Sequence, residues 1–196
     1  MRLRDADVSA RLDKPDGSWL SEDGLRDSAV LAILVERDGI DHLVFTQRRD
    51  DLPVHAGQVS FPGGAREGTE DAVSCAVRET CEEIGLSGSA LAVLGRLPDR
   101  VSIAGFKVAG FAARLTEDQP YTPQLSEVSE VFELPFAGFL EPERWSYRKT
   151  THPLARFNNV PVFDYGERRV WGLTGIILRD FVRMVSGVDP TEHLGE

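Results

Sequence analysis

Residues 63–86 constrain this chain more than any other stretch of its sequence, because they combine loop and helix signals in a fixed order. The stretch opens with the glycine pair Gly63-Gly64 and continues into an acidic segment with helical spacing. Thr69 is expected to cap the first turn, and Gly85 supplies a left-handed stop. The sequence therefore predicts a glycine-rich loop followed by one helix of about four turns over residues 69–84.

At 100° per residue, this helix has an apolar face and an acidic arc beside it. The apolar face consists of Ala72, Val73, Ala76, Val77, Thr80 and Ile84. The arc consists of Glu79, Glu82 and Glu83, which repel one another by about 0.2–0.5 kcal/mol per pair at these spacings. The arc is therefore either an exposed acidic surface or a cation site. Mg²⁺ suits the second reading, because it binds through a few carboxylates and takes further ligands from substrate phosphates.

The same residues resemble the Nudix box of the Nudix hydrolase superfamily, written G-x5-E-x7-R-E-U-x-E-E-x-G-U with U an aliphatic residue. The fixed positions are occupied in register by Gly64, Glu70, Arg78, Glu79, Glu82, Glu83 and Gly85. One aliphatic position differs, and it holds Thr80. We expect its hydroxyl to bond back to the carbonyl of Ala76, so that the polar group is satisfied within the apolar face.

The resemblance implies a fold and a set of roles. The fold is of the α/β class, a Nudix-type α/β/α sandwich with a mixed β-sheet between helices. The implied chemistry is hydrolysis of a phosphoanhydride with Mg²⁺ or Mn²⁺, which would lower the pKa of an attacking water. Glu79 and Glu83 would be the principal metal ligands, with Glu82 holding a further ion or its waters. The Gly63 carbonyl would add a ligand, and Glu79 is the preferred acceptor of the proton. Arg78 would orient the carboxylates, and Glu70 would support the loop.

Residues upstream of the box resemble the coenzyme A pyrophosphatase branch of that superfamily, whose further signature is L-L-T-x-R-[SA]-x3-R-x3-G-x3-F-P-G-G. The matching residues are Thr46, Arg48, Gly57, Phe61, Pro62, Gly63 and Gly64. Two positions differ, since Arg49 replaces the small residue and Pro53 the basic one. We expect Arg48 and Arg49 to bind substrate phosphate, because guanidinium groups bind phosphate bidentately. Gly64 would let the backbone approach the same phosphates. The alternative is that the two arginines are charges on an edge strand.

Several other residues have two readings each. Trp171 either stacks on a base or belongs to the core, and His55 either structures its loop or acts as a base. Glu127 and Glu130 are either additional metal ligands or bases, or exposed strand charges. If the two arginines do not read a 3′-phosphate, the next candidates are Lys107, Arg148 and Lys149.

Composition narrows the class of protein. A chain of 196 residues with 41% hydrophobic residues suffices for one well-buried domain. The net charge of −10, from 32 acidic and 22 basic residues, argues against binding to nucleic acid or to anionic membranes. No window approaches about 18 consecutive apolar residues, and residues 1–18 lack a signal-peptide core. Cys75 and Cys81 point about 120° apart on one helix and are expected to be reduced. We therefore expect a soluble, cytoplasmic protein.

We divide the chain into three parts, of which the middle one is the span that the resemblance covers. Residues 1–27 form a polar arm with a short helix over 5–12, available for packing or for homodimerisation. Residues 28–187 form the Nudix-like domain, and residues 188–196 form a tail. Strands are predicted over 28–36, 42–47, 90–97, 106–115, 127–133 and 160–163, and a last helix over 174–186 that stops at Gly187.

The functional prediction is a metal-dependent hydrolase acting on a small-molecule nucleoside diphosphate derivative. Coenzyme A or acyl-coenzyme A is the expected substrate, with 4′-phosphopantetheine and adenosine 3′,5′-bisphosphate as products. One alternative is a Nudix hydrolase of ADP-ribose or NADH. Another is a non-catalytic nucleotide-binding or protein-interaction module, which would be expected to lack some of the box carboxylates, whereas this chain has all of them.

Overall fold

The computed structural model describes residues 1–22, 24–51, 56–151 and 158–195, so that Pro53 and His55 lie outside the described residues. The helices are α1 (Asp5–Arg11), α2 (Ala72–Ile84) and α3 (Gly172–Ser186). The strands are β1 (Arg26–Arg37), β2 (Ile40–Arg48), β3 (Val59–Ser60), β4 (Gly63–Ala65), β5 (Leu91–Arg96), β6 (Arg100–Val101), β7 (Phe106–Leu115), β8 (Val128–Pro135), β9 (Trp145–Lys149), β10 (Asn159–Tyr165) and β11 (Arg168–Val170). Short 3₁₀ turns cover Gly88–Ala90, Phe136–Leu140, Pro142–Arg144 and Glu192–Leu194.

The main sheet is mixed and is built around β1. The sheet order is β3-β2-β1-β7-β5, while β8 pairs with β2, β4 with β1 and β6 with β7. The β1–β7 pair is parallel, whereas β1–β2, β2–β8 and β5–β7 are antiparallel. The β1–β2 hairpin turns at Asp38 and Gly39, both with positive φ, a geometry that matches the twist of the strands. Strand β1 is buried along most of its length, as its continuous apolar run predicts.

Apolar side chains on the two faces of this sheet form two separate core clusters. One cluster packs α2 against the sheet through Ala72, Cys75, Ala76 and Ile84. The other cluster lies on the opposite face and includes Val8 of α1 and residues of α3 such as Ile177 and Phe181. Helices therefore cover both faces, which confirms the predicted α/β/α arrangement.

A second, three-stranded sheet of order β11-β10-β9 was not predicted as a sheet, although the sequence does predict a short strand over 160–163. Strands this short carry little periodicity, so their pairing is set by the core beneath them. Phe163 of β10 packs against Phe139 and Trp145 with tilted rings, whose centroids are 4.8 Å and 5.1 Å away. This aromatic packing joins the small sheet to the α3 side of the core.

The N-terminal residues pack against the same domain. Leu3, Val8 and Leu12 are buried in the core cluster on the α3 side. The buried carboxylate of Asp41 accepts the Leu3 N–H at 2.5 Å and also pairs with the guanidinium of Arg114. In the described part of the chain, no helix is long and apolar enough to cross a bilayer.

Candidate active site

The loop before α2 is fixed to β1 and ends in a helix cap. Strand β4 pairs with β1 through Gly63↔Val30 and Gly64↔Ala29. The cap of α2 is Asp71, whose carboxylate accepts the Ser74 N–H at 2.7 Å. The prediction that Thr69 caps the helix is wrong. Aspartate caps helices better than threonine does, so the cap lies two residues after the predicted one and the helix begins at Ala72. Glu70 therefore lies in the loop rather than in the helix.

The remaining local predictions for α2 agree with the structure. Gly85 follows the helix with φ 74°, and its N–H donates to the Cys81 carbonyl. The Thr80 hydroxyl donates to the Ala76 carbonyl at 2.8 Å. Cys75 and Cys81 are free thiols.

Arg78 is the cationic centre of the loop and helix. Its guanidinium donates to both carboxylate oxygens of Glu70, at 2.8 and 3.0 Å, and to the Ala65 carbonyl at 3.0 Å. It also lies 3.0 Å from the Glu79 carboxylate and 2.9 Å from that of Glu82. The hydrogen bonds from Arg78 lower the pKa of Glu70 to about 2. Arg78 thus joins the loop carboxylate to two of the three carboxylates in the arc.

Glu83 is the buried member of the arc, and Glu79 beside it is half-buried. Glu83 is 6% exposed and accepts the Gly63 N–H at 3.0 Å. Glu79 lies over Gly64 so closely that a Cβ there would overlap its carboxylate. Burial raises the pKa of Glu83 to about 7, with the charges of Glu79 and Glu127 adding to the shift. Burial also raises the pKa of Glu79. Two carboxylates that are costly to ionise together therefore face the backbone of Gly63 and Gly64.

Glu127 and Arg48 border these carboxylates on the sheet side. The segment before Glu127 is tied to the end of α2, because the Gln124 N–H donates to the Glu83 carbonyl at 2.8 Å. The carboxylate of Glu127 lies 4.0 Å from the Arg48 guanidinium, and β8 begins one residue later, at Val128. Arg48 lowers the pKa of Glu83 while Glu127 raises it, so both groups act electrostatically on Glu83.

This donor set fits a hard divalent cation. Glu79 and Glu83 supply carboxylate oxygens next to the backbone of two glycines, which have no side chains to block an ion. A cation would offset both the cost of burying these charges and their mutual repulsion. Glu82 differs from them, because its side chain is 54% exposed and turned to Arg78. As the side chains are placed, the described residues contain no group of three or more Asp, Glu, His or Cys side chains that could hold a metal.

Other predicted residues lie in varied surroundings. The Arg49 guanidinium is bound to Asp51, at 2.5 and 2.7 Å, and to the Leu125 carbonyl at 2.7 Å. Glu130 pairs with Arg168 at 2.7 Å instead of meeting the buried carboxylates.

The candidates named for a 3′-phosphate also have different surroundings. Lys107 pairs with Asp27 at 2.8 Å. Arg148 stacks on Trp171, 5.2 Å from the ring centroid, and Trp171 is half-buried. Lys149 is exposed at the end of β9.

Two contacts to the loop were missed by sequence reasoning, because the residues that make them are far away in sequence. The Gly17 carbonyl accepts the Ala72 N–H at 2.9 Å, and the Trp19 indole N–H donates to the Glu70 carbonyl at 3.1 Å. A tryptophan within a polar segment was the available signal, since an indole ring in such a segment needs a surface to cover.

Comparisons with known proteins identify the family and the fold of this chain. The NUDIX domain model matches residues 25–154. The uncharacterized Nudix hydrolase NudL of Escherichia coli K12 is 37% identical over 171 residues, covering 84% of this chain and 85% of that protein. A MutT/nudix family protein from Enterococcus faecalis superposes with a TM-score of 0.56 at 15% identity, over 86% of this chain and 65% of the other. The Ap4A hydrolase of C. elegans superposes with a TM-score of 0.50 at 21% identity, over 56% and 80%. Both structures share the fold of this chain.

Proposed function

This chain belongs to the Nudix hydrolase family, and on that premise we propose that it hydrolyses the diphosphate of a nucleoside diphosphate derivative with Mg²⁺ or Mn²⁺. The observation that carries the proposal is that buried Glu83 and half-buried Glu79 lie against the backbone of Gly63 and Gly64. Two carboxylates in this setting have a chemical use when a cation and phosphate oxygens complete the site.

Each residue of the site has a role in this proposal. Glu79 and Glu83 would hold the ion, with Glu82 and the Gly63 carbonyl as further ligands. When bound, a divalent ion neutralises charge on the diphosphate and lowers the pKa of the attacking water. Glu79 would be the preferred acceptor of the proton from that water. Arg78 keeps Glu79 in place, and Glu127 is a supporting carboxylate beside the pair.

For the substrate, we propose coenzyme A or an acyl derivative, cleaved to 4′-phosphopantetheine and adenosine 3′,5′-bisphosphate. Support comes from the upstream signature and from Arg48. Its side chain is 30% exposed and its nearest recorded carboxylate, that of Glu127, is 4.0 Å away, so this guanidinium has donors left for a phosphate. Arg49 has its donors engaged by Asp51 and Leu125, which makes it the weaker candidate.

We place the enzyme in the cytoplasm, because Cys75 and Cys81 are free thiols, as is usual in a reducing compartment. The acidic net charge of −10 supports the absence of nucleic acid and membrane partners. A homodimer remains a prediction, and light scattering of the purified protein tests it.

The reaction is tested by mixing the purified protein and Mg²⁺ with coenzyme A, ADP-ribose and NADH, and identifying the products by mass. Glu83→Gln should remain folded while its turnover falls at least about a hundredfold, because the variant loses a charge that binds the ion. Glu117→Gln, at an exposed position, is the matched control and should keep wild-type turnover. A folded Glu83→Gln enzyme with wild-type turnover would exclude the metal assignment. A wild type that binds nucleotides without cleaving them would favour the binding module.

The substrate is tested by comparing Arg48→Ala with Arg49→Ala. Wild type should cleave coenzyme A with a higher kcat/KM than 3′-dephospho-coenzyme A. Arg48→Ala should reduce that preference by about ten- to a hundredfold, the value of one charge-assisted phosphate contact. Arg49→Ala should reduce it less. If both variants keep the full preference, the 3′-phosphate is bound elsewhere. If wild type prefers ADP-ribose, the coenzyme A assignment is wrong while the hydrolase assignment stands.

A further inference from the structure

Residues 13–19 lie across the loop that leads into α2. One end of this segment is attached to β5, where the Arg96 N–H donates to the Asp13 carbonyl at 2.9 Å and the Asp13 N–H returns a bond at 3.3 Å. The guanidinium of Arg96 also donates to the Asp16 carbonyl at 2.5 Å. The segment precedes residue 25, where the match to the NUDIX domain model begins. Its position is therefore held by contacts outside the loop itself.

Gly17 meets the first turn of α2. Ala72 is the first residue of the helix, and its N–H is one of those that a helix cannot satisfy internally. The Gly17 carbonyl accepts this N–H at 2.9 Å. A Cβ at Gly17 would lie 2.8 Å from both Cβ and Cγ of Asp71, the cap residue, so the close approach depends on glycine. The segment thus completes the start of the helix from outside.

Trp19 contacts the loop at two points. Its indole N–H donates to the Glu70 carbonyl at 3.1 Å. Its ring lies under the guanidinium of Arg66, 5.3 Å from the ring centroid, and Arg66 is itself paired with Asp27 of β1 at 3.0 Å. The half-buried ring also packs against the core cluster on the α2 side. Trp19 therefore links both ends of residues 66–70 to the core.

These contacts are connected to the buried carboxylates through one arginine. The Glu70 carboxylate binds Arg78 with two hydrogen bonds, and Arg78 contacts Glu79 at 3.0 Å. A shift of the Glu70 backbone would change where Arg78 holds Glu79. We propose that Trp19 and Gly17 are positioning residues of the metal site, which hold residues 66–72 so that the Glu70–Arg78 pair keeps Glu79 in place. The inference rests on the proposed function, because the site it serves is the metal site.

The test compares Trp19→Phe with Trp145→Phe in the full chain. Trp145 is a matched control, since its indole N–H donates to the Phe139 carbonyl at 3.0 Å within the other core cluster. Each substitution keeps an aromatic ring and removes one N–H donor. Mn²⁺ affinity is measured by electron paramagnetic resonance, and amide hydrogen exchange of residues 66–72 is measured without metal. The kcat and KM with Mg²⁺ are measured on the diphosphate that wild type cleaves.

Trp19→Phe should weaken Mn²⁺ binding and accelerate exchange of residues 66–72, each by about threefold to tenfold, the range for loss of one hydrogen bond. The kcat should fall while KM stays near wild type. Trp145→Phe should keep Mn²⁺ affinity and loop exchange within about twofold of wild type, even where it lowers the melting temperature. If Trp19→Phe does not fold, Gly17→Ala replaces it with the same expected changes.

Wild-type Mn²⁺ affinity in folded Trp19→Phe would overturn the positioning role, whether or not exchange of the loop has changed. Equal weakening of Mn²⁺ binding by Trp145→Phe would also overturn it, because the effect would then follow general stability. If wild type neither binds Mn²⁺ nor cleaves a diphosphate, it is the proposed function that fails. The two failures are thus distinguished by the wild-type measurement.

Discussion

Glu70 and Arg78 form the ion pair on which the loop and the helix both depend. Both carboxylate oxygens of Glu70 accept from Arg78, and one of them also accepts the Glu67 N–H at 2.7 Å. The pKa of Glu70 falls from 4.5 to about 2, chiefly through the hydrogen bonds from Arg78. A carboxyl group with a lowered pKa in the folded state stabilises that state only while it is ionised.

Replacing Glu70 by Gln should therefore have a pH-dependent cost. At pH 7 the variant should lose about 1.5–3 kcal/mol of unfolding free energy, the value of hydrogen bonds to charged groups. Because the folded pKa lies below the unfolded one, the stabilisation is present above about pH 4.5 and disappears as the pH falls toward about 2. Urea unfolding of metal-free wild type and variant at pH 7, 5, 4 and 3 measures this. Glu117→Gln should show no such trend, and a cost independent of pH would contradict the ion pair as its source.

The three glutamates of the arc differ in burial, although their helical spacing alone does not distinguish them. Helical spacing correctly places Glu79, Glu82 and Glu83 on one side of α2, because that depends only on 100° steps. It does not reveal that Glu83 meets the Gly63 N–H or that Glu82 is drawn to Arg78. Those differences depend on β4 and on the rotamer of Arg78, which are tertiary features.

At the scale of elements, the sequence predicts strands well where the apolar run is long. The strand predicted over 106–115 has the observed bounds of β7, and β1 exceeds its prediction by only a residue or two at each end. The end of α3 at Gly187 is also correct, since a left-handed residue stops a helix locally. The pairing of β9, β10 and β11 was not predictable in the same way. Their short segments gain stability from packing on Phe139 and α3 rather than from their own pattern.

At the scale of the molecule, the N-terminal residues belong to the fold because they supply both apolar and polar contacts. Sequence reasoning treats residues 1–27 as a polar arm, since their apolar residues are few and widely spaced. Leu3, Val8 and Leu12 nevertheless complete the core on the α3 side. The arm is attached through a buried ion pair between Asp41 of β2 and Arg114 of β7, which also holds Asp5 at 2.7 Å. Asp5, Asp41 and Arg114 lie in three distant segments of the sequence, so no local pattern predicts that they meet.

This arrangement predicts that Asp41→Asn will destabilise the whole domain while leaving the metal site intact. Asp41 is 0% exposed, and removing its charge leaves the buried guanidinium of Arg114 without its main counter-ion. Breaking a buried ion pair costs about 3–5 kcal/mol, which in a chain of this size lowers the melting temperature by about 6–20 °C. Asp5→Asn is the control, because its half-exposed carboxylate should contribute less than about 1 kcal/mol. Calorimetry should show one transition in both variants, with Mn²⁺ affinity at 20 °C unchanged. A melting temperature of Asp41→Asn within about 2 °C of wild type would mean that the Asp41–Arg114 ion pair contributes little to holding the N-terminal residues.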